Sequence, residues 1–268
     1  MTPIRITTPD DPRIAAYRDI RERDLAGREG LFIAEGKVVL NVLFAARRFR
    51  ARSALILENR LPGMAATLAL ADPAMPVYVA PRAVMDAIAG FPVHRGILAL
   101  GERRDADRPA HILPPPDDRS LVLALAGISN HDNMGAIFRN AAAFGADSVL
   151  ADRECCDPLY RKAIRVSVGA ALKVPFARAG TAGDMVGLLQ GAGYRVLALS
   201  PSGITRLQEV KTGQRTALLL GTEGEGLPTG LMAGLETVRI PIRSDFDSLN
   251  VATAGAIALN HFYSPESG

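Results

Sequence analysis

The chain has 268 residues, of which 48% are hydrophobic, so it is long enough to bury a core and to form two domains. Its formal net charge of +3 permits a nucleic-acid partner, while short apolar runs and the lack of an N-terminal signal region exclude a membrane span and favour a cytoplasmic protein. The adjacent Cys155 and Cys156 and the spacing of the four histidines argue against a disulfide framework and against a metal site.

The first hundred residues alternate between helical and extended patterns. Apolar residues such as Val38, Val39, Val42 and Leu43 recur at helical spacing, and short apolar runs between such segments indicate strands. The alternation predicts a small α/β domain over residues 1–100. Its predicted elements are helix 11–29, strand 31–34, helix 37–49, strand 54–57, helix 61–71, strand 77–80, helix 82–89 and strand 97–100.

Positive charge gathers in the first fifth of the chain. A phosphate-binding face would favour arginine over lysine in this way, although a GC-rich genome would give the same bias. A nucleic-acid surface and a merely solvated face therefore both remain open. The basic residues concerned are Arg13, Arg18, Arg21, Arg23, Arg28, Lys37, Arg47, Arg48, Arg50 and Arg52.

Residues 101–118, GERRDADRPAHILPPPDD, are rich in proline and charge and predict a stiff linker. Residues 119–268 then form a second domain. It opens with the run Leu121 to Ala126, which is apolar on both faces as expected for a central parallel strand. The elements predicted after it are helix 133–144, strand 147–151, helix 160–168, strand 173–177, helix 183–190, strand 194–199, strand 217–220, a short helix near Leu231, strand 238–242 and helix 248–262.

The segment 216–228, TALLLGTEGEGLP, predicts a buried strand that opens into a glycine-rich loop. Glycines let main-chain groups approach a small molecule, whereas Glu223 and Glu225 make the loop a poor cradle for phosphate. A zwitterionic or cationic cofactor is therefore favoured, and an ordinary surface turn is the alternative.

Two further polar junctions follow predicted strands, at Asn130–Asn133 and at Ser248–Asn250. Ligands bind at the carboxyl ends of strands in open α/β folds, so these junctions together with the glycine loop predict a ligand site. Each has a simpler interpretation, because Arg139 on the helix after the first junction could face water and Ser248 could be a helix N-cap.

The second domain resembles the SpoU (TrmH-like) branch of the SPOUT RNA methyltransferases. NHDNMGAIFRNAAAFGA, LLLGTEGEGLP and IPIRSDFDSLNVATAGAIALN are similar to its three motifs, in the right order across residues 119–264. AIRVSVGAALKVPF is similar to the family's Arg-x-Ser-x-Gly-Ala segment. LFIAEGKVVLNVL, in the first domain, resembles the L30e-like substrate-binding domain often joined to this family.

This resemblance implies a homodimeric methyltransferase that uses S-adenosylmethionine to methylate a ribose 2′-hydroxyl in structured RNA, with ribosomal RNA favoured over transfer RNA. It also implies a parallel sheet with a deep C-terminal trefoil knot. The implied cofactor contacts are Leu199, Gly221, Glu223, Gly224, Gly226, Ile240, Ser248 and Leu249, and the implied catalytic residues are Arg139, Asn133, Glu223, Ser248 and Asn250.

Some alternatives stay open within this resemblance. A guanidinium group stays protonated at neutral pH, so we expect Arg139 to clamp a phosphate or to stabilise an oxyanion rather than to act as the base. The sequence departs from the family's motifs at Asn130-His131, where Asp-Pro is usual, at Asn140, where threonine or serine is common, and at Ile242, where methionine is frequent. We expect these departures to affect the choice of target more than activity. The rival functions are an inactive RNA-binding or ribosome-assembly protein of the same fold and a base-methylating relative.

Overall fold

The computed structural model describes residues 2–18, 30–89, 96–104, 108–222, 224 and 226–263. It divides into two compact units, one formed by Met1–Asp105 with Asp157–Lys173 and the other by Ala106–Cys156 with Val174–Gly268. The division differs from the sequence-based domains 1–100 and 119–268, because Asp157–Lys173 joins the first unit.

The first unit contains a five-stranded mixed sheet in the order β1-β4-β3-β5-β2. The pairs β1/β4 and β3/β4 are parallel, and β5 is antiparallel to both β3 and β2. Its elements are β1 Ile4–Arg5, β2 Leu31–Glu35, α1 Lys37–Ala45, β3 Phe49–Leu57, α2 Ala65–Leu68, β4 Val77–Ala80, α3 Arg82–Ala89, β5 Ile97–Arg103, α5 Arg161–Val166 and α6 Ala170–Lys173.

Several predictions for this unit are wrong in extent. The helix predicted over 37–49 ends at Ala45, because Phe49 begins β3. The Phe49 ring is buried edge-on against the Phe32 ring, with 5.3 Å between the ring centroids. The helix predicted over 61–71 is shorter, because only Ala65–Leu68 is α-helical. The segment before it, Glu58–Met64, is a 3-10 helix, since Pro62 would disrupt α-helical hydrogen bonding. The strand predicted over 97–100 continues to Arg103, inside the segment predicted as a linker. Within the helix predicted over 11–29, Pro12–Tyr17 is a 3-10 helix and 19–29 lie outside the described residues.

The segment between α5 and α6 contains a tight turn. Val168 has a left-handed φ of 54°, and Gly169 follows with φ 86°. A Cβ atom on Gly169 would lie 3.3 Å from Cβ of Val42 on α1, so the glycine also permits close packing of the helices. A β-branched residue in the left-handed region is strained, because its Cβ approaches the neighbouring carbonyl oxygen.

Replacing Val168 with glycine is therefore expected to stabilise the protein by about 0.5–1 kcal/mol, the relief of strain being offset in part by the greater freedom of glycine when unfolded. Val168 is 39% exposed, so its side chain makes only part of the contacts of a core valine, and their loss limits the gain. The midpoint of urea unfolding measures the change. Val168→Ala is the control, since it trims the side chain without removing the strain, and equal midpoints for the two variants would contradict the explanation.

The second unit is built on a seven-stranded sheet in the order β10-β12-β9-β11-β6-β7-β8. All the strand pairs described in it are parallel. The predicted α/β fold with a parallel sheet is thus confirmed. Its elements are β6 Ser120–Leu125, α4 His131–Ala143, β7 Ser148–Ala151, β8 Phe176–Arg178, α7 Ala182–Gly191, β9 Arg195–Leu199, β10 Thr205–Arg206, β11 Arg215–Leu220, α8 Thr229–Met232, β12 Glu236–Arg239 and α9 Val251–Phe262.

The central strands of this sheet are buried on both faces, as their sequences predict. β11 lies between β6 and β9, and its residues Ala217–Leu220 are at most 1% exposed. Apolar side chains on both faces allow helices to cover both sides of a parallel sheet. This packing fixes the carboxyl ends of β12, β9 and β11 side by side, where the connecting loops begin.

Several boundaries in the second unit were predicted incorrectly. The strand predicted over 238–242 is β12, Glu236–Arg239, so Ile240 and Ile242 lie in the loop that follows it. The last helix begins at Val251 rather than Ser248, and its N-cap is Asn250. Lys173 ends α6, and β8 begins only at Phe176. The trefoil knot and the L30e-like character of the first unit stay predictions. Across the described ranges, no helix combines the length and the apolar character needed to span a membrane.

Candidate functional site

A cavity of about 720 Å³ opens at the carboxyl ends of three adjacent strands of the second unit, β12, β9 and β11. This volume suits a ligand the size of a nucleoside cofactor. Its wall combines apolar side chains, hydroxyl groups and glycines. The lining residues are Leu199, Ser200, Pro201, Ser202, Leu220, Gly221, Thr222, Gly224, Gly226, Leu227, Pro228, Thr229, Met232, Val238, Ile240, Ile242, Ser248, Leu249, Asn250, Val251 and Ala254.

The glycine loop after β11 forms one wall of this cavity. A Cβ atom on Gly221 would lie 2.7 Å from the backbone nitrogen of Leu227 and 2.8 Å from the carbonyl carbon of Gly226, so only glycine fits there. Gly224 and Gly226 have left-handed φ angles of 89° and 70°. Their conformations let the loop fold back on itself, and a bridge joins Thr222 to Gly226.

A second wall comes from the turn after β9, which sequence reasoning missed. The hydroxyl groups of Ser200 and Ser202 lie 3.0 Å apart. A Cβ atom on Gly203 would lie 2.5 Å from the carbonyl carbon of Val238, so this turn runs directly against β12. The sequence Ser-Pro-Ser-Gly after a buried strand is the same kind of polar junction that identified the other loops, and it could have been found by that rule.

The third wall is the segment that leads into α9. Asn250 caps this helix, since its side-chain oxygen accepts hydrogen bonds from the backbone N–H groups of Ala252 and Thr253 at 3.0 and 3.2 Å. The Asn250 amide nitrogen donates to Oδ1 of Asn133 at 2.9 Å. One side chain therefore starts α9, ties it to the first turn of α4 and contributes to the cavity.

The two helices are joined at a second point. The amide nitrogen of Asn140 donates to the carbonyl oxygen of Ala252 at 2.9 Å. Asn133 and Asn140 lie seven residues apart on α4 and so share one face of that helix. These contacts show that Asn140, where the resemblance implies threonine or serine, has a structural role at the start of α9.

Arg139 does not line the cavity. It lies on the exposed side of α4, next to Asn140, and makes no hydrogen bond or ion pair with any residue in the described ranges. Asn133 is 8% exposed and reaches the cavity wall only through Asn250. The cavity wall thus brings together seven of the predicted cofactor contacts with Asn250, and Arg139 is not part of it. Glu223, like Glu225, lies outside the described residues.

Cys155 lies beside the loop after β6 and is packed away from solvent. Burial raises the pKa of its thiol to about 12, with Asp152 nearby adding to the effect. Its sulfur accepts from the backbone N–H of Ile128 at 3.3 Å. A thiol so resistant to ionisation is a poor nucleophile.

Comparison with known proteins identifies the class and then the family. A crystal structure of an RNA 2′-O ribose methyltransferase aligns with a TM-score of 0.77 and 26% identity, covering 97% of this chain and 98% of the other. An AdoMet-bound rRNA methyltransferase from Sinorhizobium meliloti has the same fold, with a TM-score of 0.80 and 24% identity over 97% of each chain.

The sequence matches agree with this class. An uncharacterized tRNA/rRNA methyltransferase of Mycobacterium bovis is 38% identical over 262 residues, covering 94% of this chain and 89% of the relative. The model of the SpoU rRNA methylase family matches residues 120–260. The chain belongs to this family of RNA methyltransferases, so the resemblance seen in the motifs is confirmed.

Proposed function

We propose that this protein transfers a methyl group from S-adenosylmethionine to a ribose 2′-hydroxyl of structured RNA, with ribosomal RNA favoured over transfer RNA. The observation that carries the proposal is the cavity at the carboxyl edge of the parallel sheet. Residues of the second and third sequence motifs line it together. Membership of the SpoU family and the similarity to an RNA 2′-O ribose methyltransferase support the reaction type.

The cavity fits S-adenosylmethionine in size and chemistry. Its apolar side chains, including Leu199, Ile240 and Leu249, suit an adenine ring, and the bare backbone around Gly221 lets main-chain groups approach the ligand. The hydroxyl groups of Ser248 and Thr222 can form hydrogen bonds to its polar parts. When bound, the cofactor supplies an electrophilic methyl group on a sulfonium centre.

The residues of the chain then position the RNA and stabilise charge. As the 2′-hydroxyl oxygen takes the methyl group, its proton passes to solvent and the demethylated cofactor leaves as a neutral thioether, so negative charge develops on that oxygen in the transition state. Arg139, exposed and without a partner in the described ranges, is suited to clamp a nearby phosphate or to stabilise this charge. Asn250 would orient the substrate at the cavity, with Asn133 holding it in place, and Glu223 and Ser248 complete the proposed catalytic set.

The proposed role of Asn250 in orienting the substrate can be separated from its structural role as a helix cap. Asn250→Ala is expected to lower the free energy of unfolding by about 1–2 kcal/mol, because both the cap and the hydrogen bond to Asn133 are lost. Asn250→Asp keeps a capping oxygen but loses the hydrogen bond donated to Asn133, so it is expected to be more stable than the alanine variant and less stable than the wild type, while losing most of the methyl transfer. Thermal denaturation and transfer rates measure the two effects. Full activity in the Asp variant would restrict Asn250 to the structural role.

The wider proposal is a homodimer in the cytoplasm whose C-terminal segment is knotted.

The function is tested by incubating the purified protein with labelled S-adenosylmethionine and total ribosomal or transfer RNA, and then mapping bonds that resist alkaline cleavage. Resistance at a single nucleotide is expected. Labelled RNA without alkali resistance would indicate base methylation, and a protein that binds RNA but no cofactor would indicate the inactive alternative.

A further inference from the structure

At the start of β3 the sheet of the first unit has three strands, β3, β5 and β2, and we call the paired segments of β3 and β5 at this end the ribbon. Residues 49–53 pair with β5, whereas the described pairing of β3 with β4 begins only at Ala54. The register shifts between Ala51 and Ser53, which makes Arg52 the extra residue of a β-bulge. This part of β3 therefore extends past β4, with one edge not paired to any described strand.

Buried contacts on both faces of the sheet hold the ribbon in place. Phe49 packs edge-on against Phe32 on one face, and on the other face buried Ser53 makes a 2.7 Å hydrogen bond with the Tyr17 hydroxyl group. This second face is exposed beyond Ser53, at Arg50 and Arg52, and we call the exposed part the outer face. The buried contacts hold the ribbon to the core, so the outer arginines project from a fixed support.

The outer face continues across both strands. Phe49 is in register with Arg103, which places Arg48 opposite Arg104, and the backbone N–H of Arg104 donates to the Arg48 carbonyl oxygen at 3.4 Å. Arg47 is exposed at the turn that precedes β3. The guanidinium of Arg48 lies over the Phe49 ring, 5.4 Å from its centroid, so Arg48 is set apart from the exposed arginines. We call Arg47, Arg50, Arg52 and Arg104 the ribbon arginines.

The ribbon arginines carry more positive charge than their neighbours neutralise. Among the described residues of the outer face, Glu102 is the acidic one, and it pairs with Arg52 at 3.3 Å. Arg47, Arg50 and Arg104 make no ion pair within the described ranges.

Other arginines of the same unit lie beside carboxylates. These pairs are Arg5 with Glu58, Arg13 with Asp11, Arg18 with Asp10 and Arg82 with Asp86. Arg60 and Arg165 of the same unit also make no ion pair within the described ranges, so the ribbon is distinguished by the clustering of such arginines in one place.

We infer that the ribbon arginines bind the phosphate backbone of the RNA substrate. Guanidinium groups bind phosphate through paired hydrogen bonds, and the ribbon presents several of them together on two neighbouring strands, which lie about 5 Å apart. The aromatic ring nearest to them, Phe49, is buried and lies under the Arg48 guanidinium, so it cannot stack on a base. The surface therefore recognises the charge and shape of RNA rather than its sequence. The identity of the partner rests on the proposed function.

The test removes the three ribbon arginines without described ion pairs, through Arg47→Gln, Arg50→Gln and Arg104→Gln in one protein. A matched control replaces Arg5, Arg13 and Arg82 with glutamine, which removes the same charge from the same unit. Binding to ribosomal RNA and to a duplex RNA of random sequence is measured between 50 and 200 mM salt. Thermal denaturation confirms that both variants fold.

The ribbon variant is expected to bind both RNAs at least tenfold more weakly, with a plot of log K against log salt that is less steep by about 2–3. The control should keep most of the wild-type affinity and slope. Equal losses in the two variants would overturn the inference, and so would a ribbon variant that binds RNA like the wild type.

Two further measurements separate this inference from the proposed function. Calorimetry with S-adenosylmethionine should give the same affinity for the ribbon variant and the wild type, and saturating RNA should restore its methyl transfer. If the wild type binds RNA through the ribbon but produces no alkali-resistant bond, the proposed reaction fails while the ribbon stands. If the wild type methylates RNA and the ribbon variant has an unchanged KM for RNA, the ribbon fails alone.

Discussion

Replacing Arg139 with alanine is expected to leave S-adenosylmethionine binding intact and to slow methyl transfer by about a hundredfold or more, the usual cost of losing one donor that stabilises developing charge. Binding should persist because Arg139 lies outside the cavity lining. Stability should persist because the side chain is exposed and has no hydrogen bond or ion pair to a described residue.

Calorimetry with the cofactor and single-turnover methylation of RNA measure the two expectations. Arg153→Ala is a suitable control, since that side chain is 68% exposed on the same unit and pairs only with the equally exposed Glu154. Arg139→Lys adds information, because a point charge would retain part of the rate if charge alone matters, whereas a bidentate clamp would lose it. A wild-type rate in the alanine variant would refute the assigned role.

Replacing Gly221 with alanine should have the opposite pattern, with the loss falling on cofactor binding. The new Cβ atom would lie 2.7 Å from the Leu227 nitrogen and 2.8 Å from the Gly226 carbonyl carbon, so the loop backbone must move. Such overpacking typically costs about 1–3 kcal/mol, and here the displaced atoms form the cavity wall. We expect S-adenosylmethionine affinity to fall by about tenfold to a hundredfold.

The control for this variant is Gly234→Ala. A Cβ atom there would have nothing within 4 Å, and Gly234 is not among the cavity residues. Calorimetry with the cofactor and thermal denaturation should place this control close to the wild type. Normal cofactor affinity in the Gly221→Ala protein would show that the loop can adjust and that this close approach is not needed for binding.

The elements that sequence predicted well are those whose signal is local. β6 and β11 are apolar on both faces, and short runs of this kind between turns are typical of central parallel strands. The extent of β3 was underestimated although its signal is also local. Arginines alternate with Phe49 and Ala51 at the period of a strand. The helical pattern of the preceding residues nevertheless extended the predicted helix to Phe49.

Other features depend on contacts between distant parts of the chain. Ser248 and Asn250 are equally suitable N-cap residues, and Asn250 is selected by the path of the loop after β12. Its hydrogen bond to Asn133 joins residues 117 positions apart, which no local pattern can indicate. Likewise, Asp157–Lys173 joins the first unit because α6 packs on α1, with Gly169 close to Val42.

Asn250 lies in the cavity wall and also caps the start of α9. Ligand binding in the cavity and fraying of that helix end are therefore coupled. Such coupling is reciprocal. A molecule that contacts Asn250 and fills the cavity protects the first turn of α9 from opening, and a change that frays this turn weakens binding by the same free energy. Amide hydrogen exchange at Ala252 and Thr253 therefore reports cavity occupancy through the backbone alone.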